Sequence, residues 1–218
     1  MSRFVAVPLI IVLLAGDCLA GDLNVGNFTA GDLSGWTPKV FKGLTLYSLA
    51  REGDRTVLKA YGRNSASGLF KKVRVDPAEY PLLRWSWKID HTLKREDATR
   101  KNGDDFAARV YVVFPGMFFW TARTIVYVWS GKLPKGSALK NPYTSNAIMI
   151  AAESGDGQAG KWLNEERNYY RDYRRLFGEE PSRLGAVAVM TDTDDTRDEA
   201  TAWYGDIFLA REQAQKYR

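Results

Sequence analysis

Few side chains in this sequence can do chemistry, and most of those are carboxylates. There is one His, His91, and one Cys, Cys18. A single imidazole does not furnish the two or three ligands of an ordinary catalytic zinc site. His91 sits in a charged loop and no G-x-S-x-G elbow occurs, which disfavours a Ser–His–Asp triad. No glycine-rich phosphate loop precedes a helix. Acid–base chemistry from Asp and Glu remains. Glu165 and Glu166 beside Trp162, with Asp104, Asp105 and Asp206, are candidates for the carboxyl pair of a glycoside hydrolase or lyase.

A second constellation favours binding over turnover. Asp105, Arg109, Tyr111, Tyr127, Trp129, Tyr204 and Asp206 lie in or beside extended segments, each opposite an apolar set under strict alternation. Along 105–114, Phe106, Ala108, Val110, Val112 and Phe114 point one way, and Asp105, Arg109 and Tyr111 the other. Along 123–130, Val126 and Val128 oppose Arg123, Tyr127 and Trp129. Along 202–210, Tyr204 and Asp206 share a face. Aromatic rings offer flat apolar area with a polar tip, and guanidinium offers directional donors. That mixture suits the C–H faces and hydroxyls of a sugar. Amphipathic strands of any sandwich also carry such residues outside, so the expectation rests on the repetition across strands. The pattern predicts one groove formed by these seven residues, with no metal and no cofactor.

The elements that must position them are mostly strands. Runs rich in Val, Ile, Tyr, Phe, Trp and Thr fall at 40–50, 56–61, 68–75, 82–90, 106–114, 123–130, 146–152, 186–191 and 202–210, separated by Gly, Pro, Asn and Asp. Many short strands with turn signals predict an all-β, jelly-roll-like antiparallel sandwich. Leu83, Trp85, Trp87 and Ile89 form the buried face of their strand, leaving Arg84, Ser86, Lys88 and Asp90 outside. One short helix is expected. Tyr169, Tyr170, Tyr173, Leu176 and Phe177 make a single helical stripe, stopped by Gly178 and Pro181. It is expected to cap an open end of the sandwich, with Arg167, Arg171, Arg174 and Arg175 solvated.

The first twenty residues read as a leader. A basic start at Arg3 precedes an apolar run from Phe4 to Ala15, too short to span a bilayer, and small residues lead to a cut after Ala20. Lipidation at Cys18 is disfavoured by Asp17 before it. A mature chain of 21–218, one domain without a transmembrane segment, would lose the only Cys and keep a net charge of +5, because Arg3 and Asp17 leave together. It would be periplasmic or secreted. Its sequence pI of about 9.2 points to anionic partners, and outside the cytoplasm these are glycans or other envelope components rather than nucleic acid.

Three loops complete the reading. Asp192, Asp194, Asp195 and Asp198 are clustered but lack the turn Gly and terminal Glu of an EF-hand; they read as a solvated or salt-bridged loop, with Ca²⁺ binding as the alternative. Residues 91–102 are charged and read as a solvated, mobile loop bordering a cleft. The apolar loop Pro115–Trp120 either plugs the sandwich or meets a partner, which makes a non-catalytic envelope interaction protein a further alternative.

Seven stretches, in order, carry a resemblance. They are Leu83-Arg84-Trp85-Ser86-Trp87-Lys88, Gly103-Asp104-Asp105-Phe106 running on to Phe114, Ile125-Val126-Tyr127-Val128-Trp129-Ser130, Asn141-Pro142-Tyr143-Thr144, Asp172-Tyr173-Arg174-Arg175-Leu176-Phe177-Gly178, Met190-Thr191-Asp192-Thr193-Asp194 and Trp203-Tyr204-Gly205-Asp206-Ile207. The chain resembles the bacterial family known as domain of unknown function 3047 over nearly all of its mature length. The resemblance implies an exported single-domain protein and no particular activity. Phe28 with Gly35-Trp36, and Asp206-Ile207 near the other end, are similar at the level of fold to jelly-roll carbohydrate-binding modules. Some of those hold Ca²⁺ between their chain ends; Asn24 and Asn27 are poor ligands for it here.

Overall fold

The computed structural model describes residues 21–118 and 121–212; the expected leader, and Phe119 and Trp120 of the apolar loop, lie outside them. Thirteen strands and one α-helix are found among the described residues. The strands are β1 (Leu23–Gly26), β2 (Trp36–Lys42), β3 (Leu46–Glu52), β4 (Arg55–Arg63), β5 (Ala66–Val75), β6 (Leu82–Ile89), β7 (Ala108–Phe114), β8 (Arg123–Ser130), β9 (Ala138–Asn141), β10 (Thr144–Ser154), β11 (Leu163–Asn168), β12 (Leu184–Asp192) and β13 (Glu199–Ala210), and the helix α1 is Tyr169–Phe177. Sheet A runs β11-β6-β13-β4-β3, with β1 also on β13; sheet B runs β2-β5-β12-β7-β8-β10-β9. All pairs are antiparallel except β8 with β10. None of the described helices is long and apolar enough to cross a membrane.

The expected sandwich is present, with its main core between the sheets. Trp85 and Trp87 of β6 point inward, as their alternation with Arg84, Ser86 and Lys88 requires, and meet Tyr127 and Trp129 of β8 from the other sheet. Trp85 and Tyr127 ring centroids are 5.3 Å apart, and those of Trp87 and Trp129 5.7 Å. Such contacts add to area burial. The run read as one strand over 40–50 is two strands of different sheets. Gly43, at φ +63°, makes the left-handed turn that separates β2 from β3.

α1 closes one end of the sandwich. The Asn168 side chain accepts from the Arg171 N–H at its start, and Gly178, at φ +71°, ends it. Tyr173 packs on Phe114 at 4.5 Å between ring centroids. The arginines expected to be solvated are not all so: Arg167 on β11 and Arg175 on α1 both pair with the buried Asp172.

The outer face of sheet B is closed by a second apolar cluster. Val126, Val128, Met149 and Ala151 project from β8 and β10 and are covered by Ala98 and Phe106. The segment 91–102, expected to be solvated, supplies Ala98 of this cover, and its Leu93 joins the main core. Leu93 and Glu96 are each 1% exposed. Glu96 accepts from Ser130 Oγ and from the Gly131 N–H, tying the cover to the end of β8.

Candidate functional site

The seven residues expected to line one groove do not meet in one. Tyr127, Trp129, Tyr204 and Asp105 are 0% exposed and Arg109 2%. Tyr127 and Trp129 belong to the inter-sheet core, where their polar tips are satisfied: the Tyr127 hydroxyl donates to Asp172 Oδ2 at 2.9 Å, and Trp129 Nε1 donates to the Gly155 carbonyl at 3.0 Å. Alternation misassigned β8 because both of its faces are buried. Between two apolar rows, the larger rings took the wider space between the sheets, and Val126 and Val128 took the thinner outer cluster.

Tyr204 is a core tie rather than a ligand platform. From β13 in sheet A it reaches β12 in sheet B, donating to the Met190 carbonyl at 2.7 Å. Arg109, on the outer face of sheet B beside half-buried Tyr111, holds two carboxylates. Its Nε and Nη2 donate to Asp192 at 2.8 and 2.5 Å, and Nη1 to Asp104 at 3.3 Å. Burial alone would lower the guanidinium pKa; Asp104 and Asp192 outweigh it and raise it well above the usual value. These residues hold the fold together from inside.

Asp206 is the exception, and a β-bulge explains it. Between Tyr204, opposite Trp87, and Ile207, opposite Trp85, β13 carries one extra residue. The alternation changes phase there. Tyr204 and Ile207 both face the core, and Asp206 faces outward, accepting from the Thr29 N–H at 2.8 Å. A Cβ on Gly205 would collide with Ser86 Oγ as that hydroxyl stands, so any larger residue at the bulge must turn Ser86 aside.

The open surface is the outer face of sheet A. Its central row reads Lys88 on β6, Trp203 on β13 and Lys59 on β4 by register. The Lys88 ammonium lies 4.1 Å from the Trp203 ring centroid, and Lys59 5.8 Å. Trp162, just before β11, has the Arg55 guanidinium 3.9 Å from its ring centroid. Cations at these distances are attracted by the indole quadrupole. Lys88 also pairs with Glu52 of β3, two strands beyond β13, so that both side chains lie across the face.

Beside this row is a cavity of about 450 Å³ lined by Arg55, Arg84, Glu165, Glu166, Asp206 and Phe208, among others. Three of the carboxylates proposed for acid–base work therefore share one cavity, while Asp104 and Asp105 lie elsewhere, about Arg109. Glu165 accepts from Trp87 Nε1 at 3.3 Å, and burial pushes its carboxyl above the ordinary glutamate range. Glu166 and Asp22 flank Arg84 at 2.6 and 2.8 Å and fix its position.

The sequence profile of the family described as "Protein of unknown function (DUF3047)" matches residues 34–208. The chain belongs to the DUF3047 family. Comparison with curated protein sequences finds no match. Among solved structures, the DUF3047 chain is similar to the family 30 carbohydrate-binding module of a Clostridium thermocellum cellulosomal cellulase. The TM-score is 0.52 at 11% identity, over 88% of this chain and 99% of that one. It is also similar to a family 11 carbohydrate-binding module of the same organism in complex with a β-1,3-1,4-mixed-linked tetrasaccharide, at TM-score 0.44 and 6% identity, over 89% and 97% of the two chains. At these identities the likeness is one of fold.

Several residues of the DUF3047 site escaped the sequence reading: Arg55, Lys59, Arg84, Lys88, Trp203 and Phe208. A signal for part of it was present. Arg84, Ser86 and Lys88 alternate with the buried tryptophans of β6, so they mark the solvent face of that strand. Phe208 was harder to place, because the bulge shifts the second half of β13.

Proposed function

We propose that this DUF3047 protein is exported and binds a glycan of the cell envelope, with acidic residues in its sugar chain, on the outer face of sheet A. The observation that carries the reading is the pairing of half-buried Trp162 and Trp203 with Arg55 and Lys88, beside a cavity that also holds carboxylates and Phe208. Indole faces suit sugar rings, the cations suit a uronate or other acidic substituent, and the carboxylates suit hydroxyls. A fold shared with carbohydrate-binding modules and a basic pI support the same reading. The basic leader and its cleavage pattern support export.

Calorimetric titration with purified acidic and neutral envelope polysaccharides tests it. Binding of the acidic ones, weakened at least tenfold by Trp203→Ala and by Arg55→Ala with melting little changed, is the expected result. Absence of binding, or binding indifferent to both substitutions, refutes it.

A second reading has its own observation. Glu165, Glu166 and Asp206 share the cavity, and Glu165, held above the ordinary glutamate range, is suited to general-acid work. New reducing ends, or unsaturated products, that vanish in Glu165→Gln while binding persists would make this face an active site.

A further inference from the structure

We propose that Asp105, Asp194 and Asp195 form a Ca²⁺ site joining the loop before β7 to the loop between β12 and β13. One carboxylate oxygen from each of the three lies within 4.8 Å of the other two. Ca²⁺ takes oxygen ligands at about 2.3–2.6 Å, so ligands on opposite sides of one ion stand about 4.6–5.2 Å apart. The three oxygens fit around a single ion.

Proximity of acids alone would mean little on a surface. Here Asp105 is 0% exposed, and its Oδ1 is buried with no hydrogen-bond partner among the described residues. Its Oδ2 is held by the Thr196 N–H at 2.5 Å, which fixes the carboxyl on the loop that carries Asp194 and Asp195. A carboxylate oxygen buried without a donor is costly, and something must offset it.

The neighbouring cations do not. Arg109 directs its donors to Asp104 and Asp192, not to Asp105. Lys42 lies 3.2 Å from Asp194 Oδ2, and the Tyr143 hydroxyl donates to Asp195 Oδ2 at 2.7 Å. Each contact engages one oxygen, Oδ2, of a carboxylate that has two. Among the described residues, the ion pairs made by the five carboxylates Asp104, Asp105, Asp192, Asp194 and Asp195 are with Arg109 and Lys42. A divalent ion supplies charge where Oδ1 of Asp105 lacks a partner. Thr196 Oγ1, also buried, lies beside the Asp105 carboxyl and offers a further oxygen.

The three ligands come from two loops far apart in sequence, so the ion would act as a cross-link at the end of sheet B. It sits apart from the sheet A cavity and is independent of the glycan proposal. It also differs from an ion held between the chain ends, where Asp206 already accepts from Thr29.

The test uses the purified mature protein freed of metal with a chelator. Calorimetric titration with CaCl₂ is expected to show one site, with MgCl₂ at least tenfold weaker, and Ca²⁺ is expected to raise the melting temperature. Tb³⁺ is expected to give luminescence excited through tyrosine, because Tyr143 touches Asp195. Asp194→Asn and Asp195→Asn, with ligands nearer the surface than Asp105, are expected to fold, weaken Ca²⁺ binding at least tenfold and reduce the melting shift. A wild-type protein that shows neither heat nor a melting shift with Ca²⁺ overturns the proposal, and a proton shared among the carboxyls then replaces the ion. Unchanged Ca²⁺ affinity in the Asp194→Asn, Asp195→Asn double variant overturns it as well.

Discussion

The outer faces of the two sheets start from the same alternation and end differently. On sheet B, Val126, Val128 and Met149 lie under a cover of Ala98 and Phe106, and Arg109 is sealed between Asp104 and Asp192. On sheet A, no such cover is found among the described residues, and half-buried Trp203, Lys88, Lys59 and Phe208 form the outer face. Ala98 of that cover comes from 91–102, a segment whose many charges disguise it. Its Leu93, Glu96 and Ala98 are buried, and its charged residues fill the positions between. A site face is thus distinguished from a second core by what the neighbouring loop does, and period two along the strand does not record that.

The largest test of this contrast is Trp129→Ala. As an inter-sheet residue packed on Trp87, Trp129 should cost about 3–5 kcal/mol on truncation, seen as a large fall in the denaturant midpoint. A protein of unchanged midpoint would return Trp129 to the surface. Next is Tyr127→Phe, which removes one hydrogen bond to a buried carboxylate. A loss of about 2 kcal/mol is expected, with glycan affinity unaltered. Trp203→Ala, on the open face, should cost about 1 kcal/mol in stability while abolishing most of the binding, which reverses the pattern of Trp129.

The smallest effect is one of pH, and it probes the cover directly. Burial dominates and raises the Glu96 carboxyl above its ordinary 4.5, although Gly131 and Ser130 donate to it. Below pH 4.5 folded and unfolded chains both hold this proton, and the fold bears no penalty. As pH rises past that value the unfolded chain releases its proton first, so this group's contribution to stability declines until the folded carboxyl ionises too. Glu96→Gln removes the effect. Melting temperatures of the two proteins should therefore diverge between pH 4.5 and neutrality, in favour of the variant. Parallel curves would mean that Glu96 is effectively solvated.

Much of the scaffold was legible in the sequence. Residues 123–130 coincide with β8, the helix stripe coincides with α1, and Trp85 and Trp87 are core. What was not legible has physical causes. β1 and β9 are four-residue strands, too short for a pattern, and β11 (Leu-Asn-Glu-Glu-Arg-Asn) is an edge strand with polar residues on both faces. The candidate site was legible only in its carboxylates and Trp162. Glu165, Glu166 and Asp206 share the cavity as their types suggested, but the aromatic and basic residues around them come from strands that only the sheet order brings side by side.

The bulge at Gly205 has a consequence for how the chain finds its register. The two halves of β13 are out of phase and joined through the extra residue, so sliding the strand one place along β6 turns both over at once: it would push Trp203 into the core and withdraw Ile207 from it. Mispaired intermediates would then be penalised at both ends, and the glycine acts as a registration pin. Removing Gly205 by deletion should be worse for refolding yield than replacing any single side chain on the open face, because a deletion realigns everything after it: length at this position is more constrained than chemistry.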